Sequence, residues 1–395
     1  MLWSCFLHIY QPPWQKKDIL AKIVKESYLP VLEILERNKG ARVTLNINAS
    51  LTELLIENNF FQIIQKIKKL LERGQIEMTG SAAYHPILPL IPKSEVIRQI
   101  KLNEKINKKY LGTAWQPRGF FLPEMAYDKK TAEIIKSCGY QWLILDEIAY
   151  QGIVGGVSFD KGYRLEDLEL KIVFRNRGLS DTFFSGWLDS EEKFEQAVKN
   201  DYRDHNFLIT AFDGENLGHH RPGMDGVFEK IINKIESLTI SELLKKYQQE
   251  ETIDPLASSW SSKKEELDNQ VSFFLWQNPG NKIHQLQWQL TNLVLRTIKK
   301  SKKDLNYKKA RVFLDKALNS CQYWWASASP WWSKEIIQAE AEQMVSIFKI
   351  LVKPDSKIIE KAERIKEKIV LTTNDWQLSG YAKKIKKAYL ESELG

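Results

Sequence analysis

Two carboxylates in this sequence follow apolar, strand-like segments, and both could take part in catalysis. Glu124 comes directly after Pro123 in RGFFLPEMAYD, so its backbone is stiff and its side chain is well positioned. Asp213 ends an apolar run, and Glu215 and His219 follow within a few residues. Two carboxylates that face one pocket can cleave a glycosidic bond, one as nucleophile or base and the other as proton donor. Sequence alone does not give their separation, so retention and inversion of configuration both stay open.

Short β-rich segments alternate with longer amphipathic segments over about the first 213 residues. This alternation predicts parallel strands that are joined by helical crossovers. Helices are predicted at residues 19–35 and 51–71. The seven predicted strands cover residues 2–9, 43–48, 76–79, 119–122, 142–145, 172–175 and 207–212.

A polar side chain that can do chemistry or bind a hydroxyl lies at the C-terminal edge of each predicted strand. In parallel α/β folds these edges converge, and sites assemble there. Seven polar endings in seven strands favour a closed ring around one pocket, so the predicted fold is a seven-stranded parallel (β/α)7 barrel. The seven residues are His8, Asn48, Glu77, Glu124, Asp146, Arg175 and Asp213.

The hydrophobic period changes to 3.6 after about residue 225, which predicts a helical C-terminal region. Apolar stripes at residues 310–321 and 337–351 mark two of its helices. No low-complexity linker precedes this region, so we expect it to pack on the barrel. The predicted domains are a catalytic barrel at residues 1–250 and a helical region at 251–395 that contributes to the substrate site.

The composition excludes several classes of protein. A chain of 395 residues with 43% apolar residues can bury a large core, so it is neither disordered nor a disulfide-stapled miniprotein. The longest apolar stretches are strand-sized, which argues against membrane-spanning helices. The net charge is +8, but the lysines alternate with glutamates on helix-like segments, as is typical of solvated surfaces rather than of nucleic-acid binding.

The cellular location is predicted from the N-terminus and the cysteines. The start MLWSCFLHIYQPP has no basic segment before its apolar residues and no cleavage site for a signal peptide. The three cysteines are odd in number and widely spaced, which favours free thiols in a reducing compartment. We therefore expect a cytoplasmic protein. Its oligomeric state is left open.

Four segments in order make the chain resemble glycoside hydrolase family 57. They are LHIYQPP near the N-terminus, GQIEMTGSAAYHPILPLIP at 74–92, RGFFLPEMAYD at 118–128 and ITAFDGENLGHH at 209–220. The resemblance implies a seven-stranded barrel with a C-terminal helical region, and activity on α-glucans by a retaining double displacement without a metal or other cofactor. It implies Glu124 as the nucleophile and Asp213 as the acid/base, with His8 and Glu77 lining the sugar subsite.

The sequence departs from the family pattern in two places. Tyr10 stands where a second histidine is common, and Cys321 and Gln322 stand where the helical region usually has an acidic residue. A tyrosine hydroxyl can still bind a sugar, so the first departure predicts altered subsite contacts. The second leaves open whether water or a sugar hydroxyl accepts the glycosyl group.

Further residues are predicted to contact the substrate. Four tryptophans around Pro330 could present flat faces to sugar rings, as aromatic side chains can, whereas Trp260, Trp276 and Trp288 are predicted to be packing residues. Arg175 is also expected to pair with Asp181. The predicted binding residues are His8, Gln11, Glu77, His85, Asp146, Arg175, Glu215, His219, Trp324 and Trp325.

The leading hypothesis is a retaining α-amylase-like hydrolase that acts on α-glucans or maltooligosaccharides. The first alternative is a 4-α-glucanotransferase or a branching enzyme, which shares the covalent intermediate. The second is a metal-dependent deacetylase, although the sequence lacks the His-x-x-x-His spacing that such a site often uses. The third is a non-catalytic carbohydrate-binding barrel, against which the presence of both Glu124 and Asp213 argues.

Overall fold

The computed structural model describes residues 1–185, 187–201, 205–353 and 355–394, and the chain divides into two compact units. The first unit comprises Met1–Ala83 and Leu88–Lys264, and the second comprises Tyr84–Ile87 and Glu265–Gly395. Across the described ranges, no helix has both the length and the apolar character that crossing a bilayer requires.

The first unit is built on one mostly parallel sheet. The strand order is β8-β1-β2-β3-β4-β5-β7-β6-β9, and among its recorded ladders only that between β6 and β7 is antiparallel. The strands are β1 (Leu2–Ile9), β2 (Val43–Ile47), β3 (Ile76–Gly80), β4 (Gly119–Phe121), β5 (Trp142–Asp146), β6 (Gly162–Leu165), β7 (Lys171–Arg175), β8 (Phe207–Asp213) and β9 (Glu250–Ile253).

The sheet is strongly curled. Phe6 on β1 and Phe121 on β4 have ring centroids 5.2 Å apart, although two strands separate β1 from β4 in the sheet. Arg175 at the end of β7 donates a hydrogen bond of 3.1 Å to the carbonyl of Ala211 on β8, six strand positions away. A flat sheet would separate β7 from β8 by roughly 29 Å, since neighbouring strands lie about 4.8 Å apart. The inner face of the sheet therefore encloses a core.

All seven predicted strands occur, each within two residues of its predicted bounds. The predicted count of seven strands in a closed ring was wrong. The structure adds β6 and β9, and the hydrogen-bonded order of the nine strands ends at β8 and β9 instead of closing. β6 forms a hairpin with β7, and β9 reads EETI, which lacks the apolar pattern of a core strand. Short edge strands with charged residues leave little signal in a sequence.

Helices join the strands of the first unit. The connections include five one-turn 3₁₀ helices, at Leu88–Leu90, Gly112–Ala114, Pro123–Met125, Glu147–Ala149 and Gly214–Asn216, and the last three of these come just after β4, β5 and β8. The α-helices are α1 (Lys17–Ile23), α2 (Leu29–Arg37), α3 (Ala49–Glu57), α4 (Phe61–Glu72), α5 (Lys93–Leu111), α6 (Lys129–Ser137), α7 (Arg177–Ser185), α8 (Glu191–Asp201), α9 (Met224–Lys234) and α10 (Ile240–Leu243).

Each of the two predicted helices between the first three strands is interrupted. A π-helical turn, Val24–Tyr28, lies between α1 and α2. The second predicted helix breaks between α3 and α4, where Asn59 has a left-handed φ of 66°. Apolar periodicity runs through both breaks because the flanking segments bury the same face, so the pattern does not show them.

The second unit is helical in its described part, as the change of period predicted. The helices at Lys282–Lys300, Tyr307–Ala317, Lys334–Ile350 and Ser356–Leu378 pack together around buried side chains that include Ile337, Met344 and Phe348. The predicted packing of this region on the barrel, and its contribution to the substrate site, stay predictions. Its helices are α11 (Lys264–Asp268), which begins at the boundary, α12 (Phe274–Gln277), α13 (Lys282–Lys300), α14 (Tyr307–Ala317), α15 (Cys321–Trp324), α16 (Lys334–Ile350), α17 (Ser356–Leu378) and α18 (Tyr381–Leu394).

Candidate active site

Glu124 lies in a 3₁₀ turn directly after β4, and its backbone is in an uncommon conformation. Its φ of 60° and ψ of 18° are left-handed, which costs a non-glycine residue about 1–3 kcal/mol. The half-buried carboxylate accepts a hydrogen bond of 2.9 Å from the indole N–H of Trp260. Burial raises the pKa of Glu124 to about 7, against the opposing effect of that hydrogen bond. The side chain is thus positioned and can change its charge near neutral pH.

Asp213 is the last residue of β8 and is half-buried. Burial raises its pKa well above the ordinary value, and the negative charges of Glu215 and Glu124 raise it further. The positive charge of Arg175 acts in the opposite direction. His8, which pairs in register with Asp213, has its ring centroid 4.5 Å from that of Phe121, three residues before Glu124. The two predicted catalytic carboxylates therefore lie on the same part of the curled sheet, where the charge of Glu124 acts on Asp213.

His8 is the penultimate residue of β1 and pairs in register with Asp213 on β8. Its Nδ1 lies 2.8 Å from the side-chain oxygen of Asn46, and its ring lies 4.5 Å from that of Phe121. Burial lowers the pKa of His8 to about 4, so the imidazole is neutral at physiological pH. A neutral imidazole on the strand next to Asp213 can bind a hydroxyl group without adding a charge.

Glu215 is buried beside Asp213, and hydrogen-bond donors from three positions converge on its carboxylate. The phenol of Tyr28 donates to it, the side chain of Gln11 donates at 3.1 Å, and the backbone N–H of Tyr10 donates at 3.3 Å. Burial raises the pKa of Glu215, while these donors lower it. The predicted residues Gln11 and Glu215 therefore lie together, next to one of the two central carboxylates.

Asp146 and Arg175 form a buried ion pair at the ends of β5 and β7. Nε of Arg175 lies 2.6 Å from a carboxylate oxygen of Asp146, and Nη2 of Arg177 lies 2.6 Å from the other. The predicted pair of Arg175 with Asp181 is confirmed, at 3.3 Å. Because the carboxylate of Asp146 is held by two guanidinium groups, Asp146 and Arg175 support the edge of the sheet.

Glu77 does not lie at the C-terminal edge, and that part of the prediction was wrong. It is the second residue of β3 and pairs in register with Thr44, near the start of β2. Its carboxylate accepts hydrogen bonds from the backbone and the hydroxyl of Ser241 in α10. The N-terminus of a helix is a favourable place for a carboxylate, so α10 holds Glu77 at the opposite end of the strands from His8.

The other predicted binding residues have contacts of their own within each unit. His219 pairs with Glu26 at 2.7 Å. His85 belongs to the second unit, where its Nδ1 lies 3.0 Å from the hydroxyl of Ser320. Trp324 and Trp325 are also in the second unit and are half-buried, with their ring centroids 5.3 Å apart.

Sequence reasoning missed two residues of the site. Trp260 was predicted to be a packing residue, but it contacts Glu124 through its indole and its backbone. Tyr28 lay inside a predicted helix and carried no motif, yet it binds Glu215. A tryptophan flanked by serines in an irregular segment could have indicated Trp260, whereas no sequence signal marked Tyr28.

Within the residues that the structure describes, no group of three or more histidine, cysteine, aspartate or glutamate side chains is arranged to hold a metal ion.

The fold and site define a class: a curled, mostly parallel α/β sheet that carries the carboxylates of Glu124 and Asp213 at the C-terminal ends of two of its strands. Residues 6–255 match the sequence profile of Glycosyl hydrolase family 57, and the chain belongs to that family. The resemblance of its four sequence segments to the family is thereby confirmed.

Named relatives share only part of their length with this chain. An alpha-amylase of Pyrococcus horikoshii is 26% identical over 260 residues, which are 61% of this chain and 40% of that protein. Alpha-amylase 1 of Dictyoglomus thermophilum is 25% identical over 249 residues, which are 59% of this chain and 34% of that protein. The matched part of the chain thus spans less than half the length of either relative.

Solved structures show the same fold. A GH57 branching enzyme from Thermococcus kodakaraensis superimposes with a TM-score of 0.71 at 14% identity, covering 92% of this chain and 94% of that one. At this level of identity the likeness shows the fold alone. It extends over both units of the chain, whereas the family profile ends at residue 255.

Proposed function

We propose that this chain is a retaining α-glucan-active enzyme in which Glu124 is the nucleophile and Asp213 is the general acid and base. Glu124 attacks the anomeric carbon while Asp213 transfers its proton to the leaving glycosidic oxygen, which breaks the carbon–oxygen bond. Asp213 then removes a proton from water or a sugar hydroxyl. That oxygen attacks the anomeric carbon and releases Glu124.

The observation that carries this proposal is that the two carboxylates lie at the ends of β4 and β8 in different surroundings, Glu124 beside the indole of Trp260 and Asp213 beside Glu215. The charge of Glu124 raises the pKa of Asp213, whereas the pKa of Glu124 depends on burial and on the hydrogen bond from Trp260. The hydrogen bond from Trp260 favours the ionised form of Glu124, whereas burial and the charges of Glu215 and Glu124 raise the pKa of Asp213 and favour its protonated form. A charged nucleophile beside a protonated acid is the state that the first step of a double displacement requires.

A transfer reaction is the second candidate. Relatives named alpha-amylase favour a glucan as the substrate. A relative named 4-alpha-glucanotransferase, from Thermococcus litoralis, is 26% identical over 152 residues and favours transfer. Hydrolysis and transfer share the covalent intermediate and differ in the acceptor that attacks it. In this proposal His8 contacts the sugar, and Trp324 and Trp325 remain predicted binding residues.

Product analysis separates the two reactions. The protein is incubated with maltoheptaose, amylose, pullulan and a nitrophenyl α-galactoside, and both product lengths and reducing ends are measured. Hydrolysis increases the reducing ends, whereas transfer gives chains longer than the substrate without that increase. Retention is tested by NMR, which should show the α-anomer as the first product. If none of these substrates is turned over, the result would favour the non-catalytic alternative for this chain.

The assignment of the two carboxylates is tested by Glu124→Gln and Asp213→Asn. We expect each variant to lose several orders of magnitude in turnover while keeping the circular dichroism spectrum of the wild type. Glu133→Gln is the matched control, because it makes the same change on the exposed face of α6. Wild-type turnover in both site variants would contradict the assignment. The cytoplasmic location stays a prediction.

A further inference from the structure

Trp260 contacts Glu124 at two points. Its indole N–H donates to Oε2 of Glu124 at 2.9 Å, and its backbone N–H donates to the carbonyl of Glu124 at 3.1 Å. The first contact restrains the plane of the carboxylate, and the second restrains the main chain that carries it. Together they hold both parts of a residue whose left-handed backbone requires support from its surroundings.

Arg175 supports Trp260 from the other side. Nη2 of Arg175 lies 3.4 Å from the carbonyl oxygen of Trp260, and the guanidinium lies 5.6 Å from the centre of the indole ring. This geometry combines a hydrogen bond with a cation–π contact. Arg175 is buried, with 5% of its surface exposed, and Asp146 neutralises its charge.

The same guanidinium reaches the strand that carries Asp213. Nη1 of Arg175 donates a hydrogen bond of 3.1 Å to the carbonyl of Ala211, two residues before Asp213 on β8. All three nitrogens of Arg175 thus contact protein oxygens, on Asp146, Ala211 and Trp260. A planar guanidinium can make these contacts at fixed mutual angles, which a lysine cannot reproduce.

We propose that Arg175 and Trp260 are positioning residues that hold the side chain of Glu124 in a fixed relation to the strand of Asp213. The inference rests on the proposed function for its chemical meaning, since these are the two proposed catalytic carboxylates. The chain of contacts runs from β8 through Arg175 and Trp260 to Glu124. Fixing the nucleophile relative to the acid reduces the motion needed to reach the transition state.

This arrangement also assigns a role to Arg175 other than sugar binding. The residue was predicted to bind substrate, but its nitrogens contact the protein and its side chain is buried. Loss of a positioning residue lowers kcat, whereas loss of a sugar contact raises KM. The two roles therefore give different kinetic results.

Trp260→Phe is the first test because it keeps an aromatic ring and removes only the N–H donor and the larger ring. Without that donor the ionised form of Glu124 is less stable, so its pKa rises. We expect the acid limb of the kcat/KM profile to move to higher pH by about one unit. We also expect kcat to fall by about tenfold with little change in KM.

Arg175→Lys is the second test, because it keeps the charge and removes the planar fork. We expect kcat to fall by about tenfold with KM nearly unchanged, since lysine cannot bind both carbonyls and face the indole. Trp288→Phe is the matched control. Trp288 is a buried tryptophan in the second unit whose indole donates at 2.9 Å to the carbonyl of Trp276. Its replacement should leave the pH profile unchanged, even where it lowers the thermal midpoint.

A measurement without substrate separates this inference from the proposed function. The indole N–H resonance of Trp260 in ¹⁵N-labelled protein is identified by its loss in Trp260→Phe. In the wild type we expect its chemical shift to titrate with a midpoint near pH 7, where Glu124 ionises. The inflection should be lost in Glu124→Gln and displaced in Arg175→Lys.

The outcomes decide between the two ideas. If the inflection follows this pattern but no glucan is turned over, the positioning contacts stand and the proposed function fails. If the wild type acts on glucans but Trp260→Phe keeps the acid limb and kcat of the wild type, the positioning role is wrong. A rise in KM with no change in the acid limb would instead assign Trp260 to sugar binding.

Discussion

Tyr28 donates a hydrogen bond from its phenol to the buried carboxylate of Glu215, 187 positions further along the chain. Tyr28 is the last residue of the π-helical turn, and Ser27 in the same turn donates to the carbonyl of Gly214 at 2.9 Å. This turn therefore fixes the segment that follows β8. π-helical turns are rare and often occur at functional sites, which agrees with its place beside Asp213.

Glu215→Gln tests the charge next to Asp213. The negative charge of Glu215 raises the pKa of Asp213, so the neutral variant should have a lower pKa at Asp213. Because Asp213 must be protonated in the first step, we expect the alkaline limb of the kcat/KM profile to move to lower pH by about one unit. Glutamine keeps an oxygen that can accept from Tyr28. An alkaline limb identical to that of the wild type would exclude this electrostatic role.

Gly218→Ala tests the packing of the segment after β8 on the π-helical turn. Gly218 has a φ of +111°, and an added Cβ would lie 1.9 Å from the backbone carbonyl oxygen of Glu26. We expect a loss of roughly 2–4 kcal/mol in the free energy of unfolding, measured with urea. Gly226→Ala in α9 is the control, since its Cβ would meet open space. That control should gain about 0.5–1 kcal/mol, and equal effects of the two changes would contradict this account.

Glu124→Gln should make the protein more stable at alkaline pH. The pKa of Glu124 is about 7 in the folded protein and lies above its value in the unfolded chain. The protonated form therefore favours folding, and its contribution is complete below about pH 4.5 and lost as the pH rises through 7. We expect the variant to exceed the wild type in unfolding free energy by about 1–3 kcal/mol at pH 8 and by much less at pH 5. Equal differences at both values would disprove the link to ionisation.

His8 should make the fold sensitive to acid. Its pKa is about 4 in the folded protein because of burial, below the ordinary value of 6.5. The unfolded chain binds the proton more readily, so stability is full above pH 6.5 and is lost as the pH falls towards 4. The loss amounts to about 3 kcal/mol over that window. The difference in unfolding free energy between the wild type and His8→Gln, followed from pH 7 to pH 4, isolates this contribution. A constant difference would show that His8 does not titrate in this way.

Local patterns predicted the seven parallel strands and the positions of Glu124 and Asp213 at strand ends, whereas the catalytic roles of the two carboxylates stay a proposal. β1, β2 and β8 are buried along nearly their whole length, and such strands appear in sequence as compact apolar segments. Glu124 and Asp213 follow such segments directly, so their places at the strand ends could be inferred. The edge strands β6 and β9 could not, because short exposed strands resemble loops in composition.

The expectation that every strand ends in a functional polar residue at its C-terminal edge was wrong for β3. Glu77 was predicted at the C-terminal edge because every predicted strand was expected to end in a polar residue, although the strand predicted at residues 76–79 has Glu77 as its second residue. In the structure β3 continues for three residues beyond it, and its carboxylate binds α10. The predicted bounds of β3 were correct to one residue, so the error lay in expecting a functional polar ending where the strand ends in Thr79 and Gly80.

The amino-acid sequence by itself determined the parallel α/β character, the helical C-terminal region and the pair of carboxylates, because these depend on periodicity and on residues that adjoin their own strands. Only the tertiary structure decided which side chains support those carboxylates. Trp260 lies 136 positions from Glu124, and Tyr28 lies 187 positions from Glu215. Contacts over such distances arise from the curling of the sheet and the course of irregular segments, which no local pattern of residues encodes.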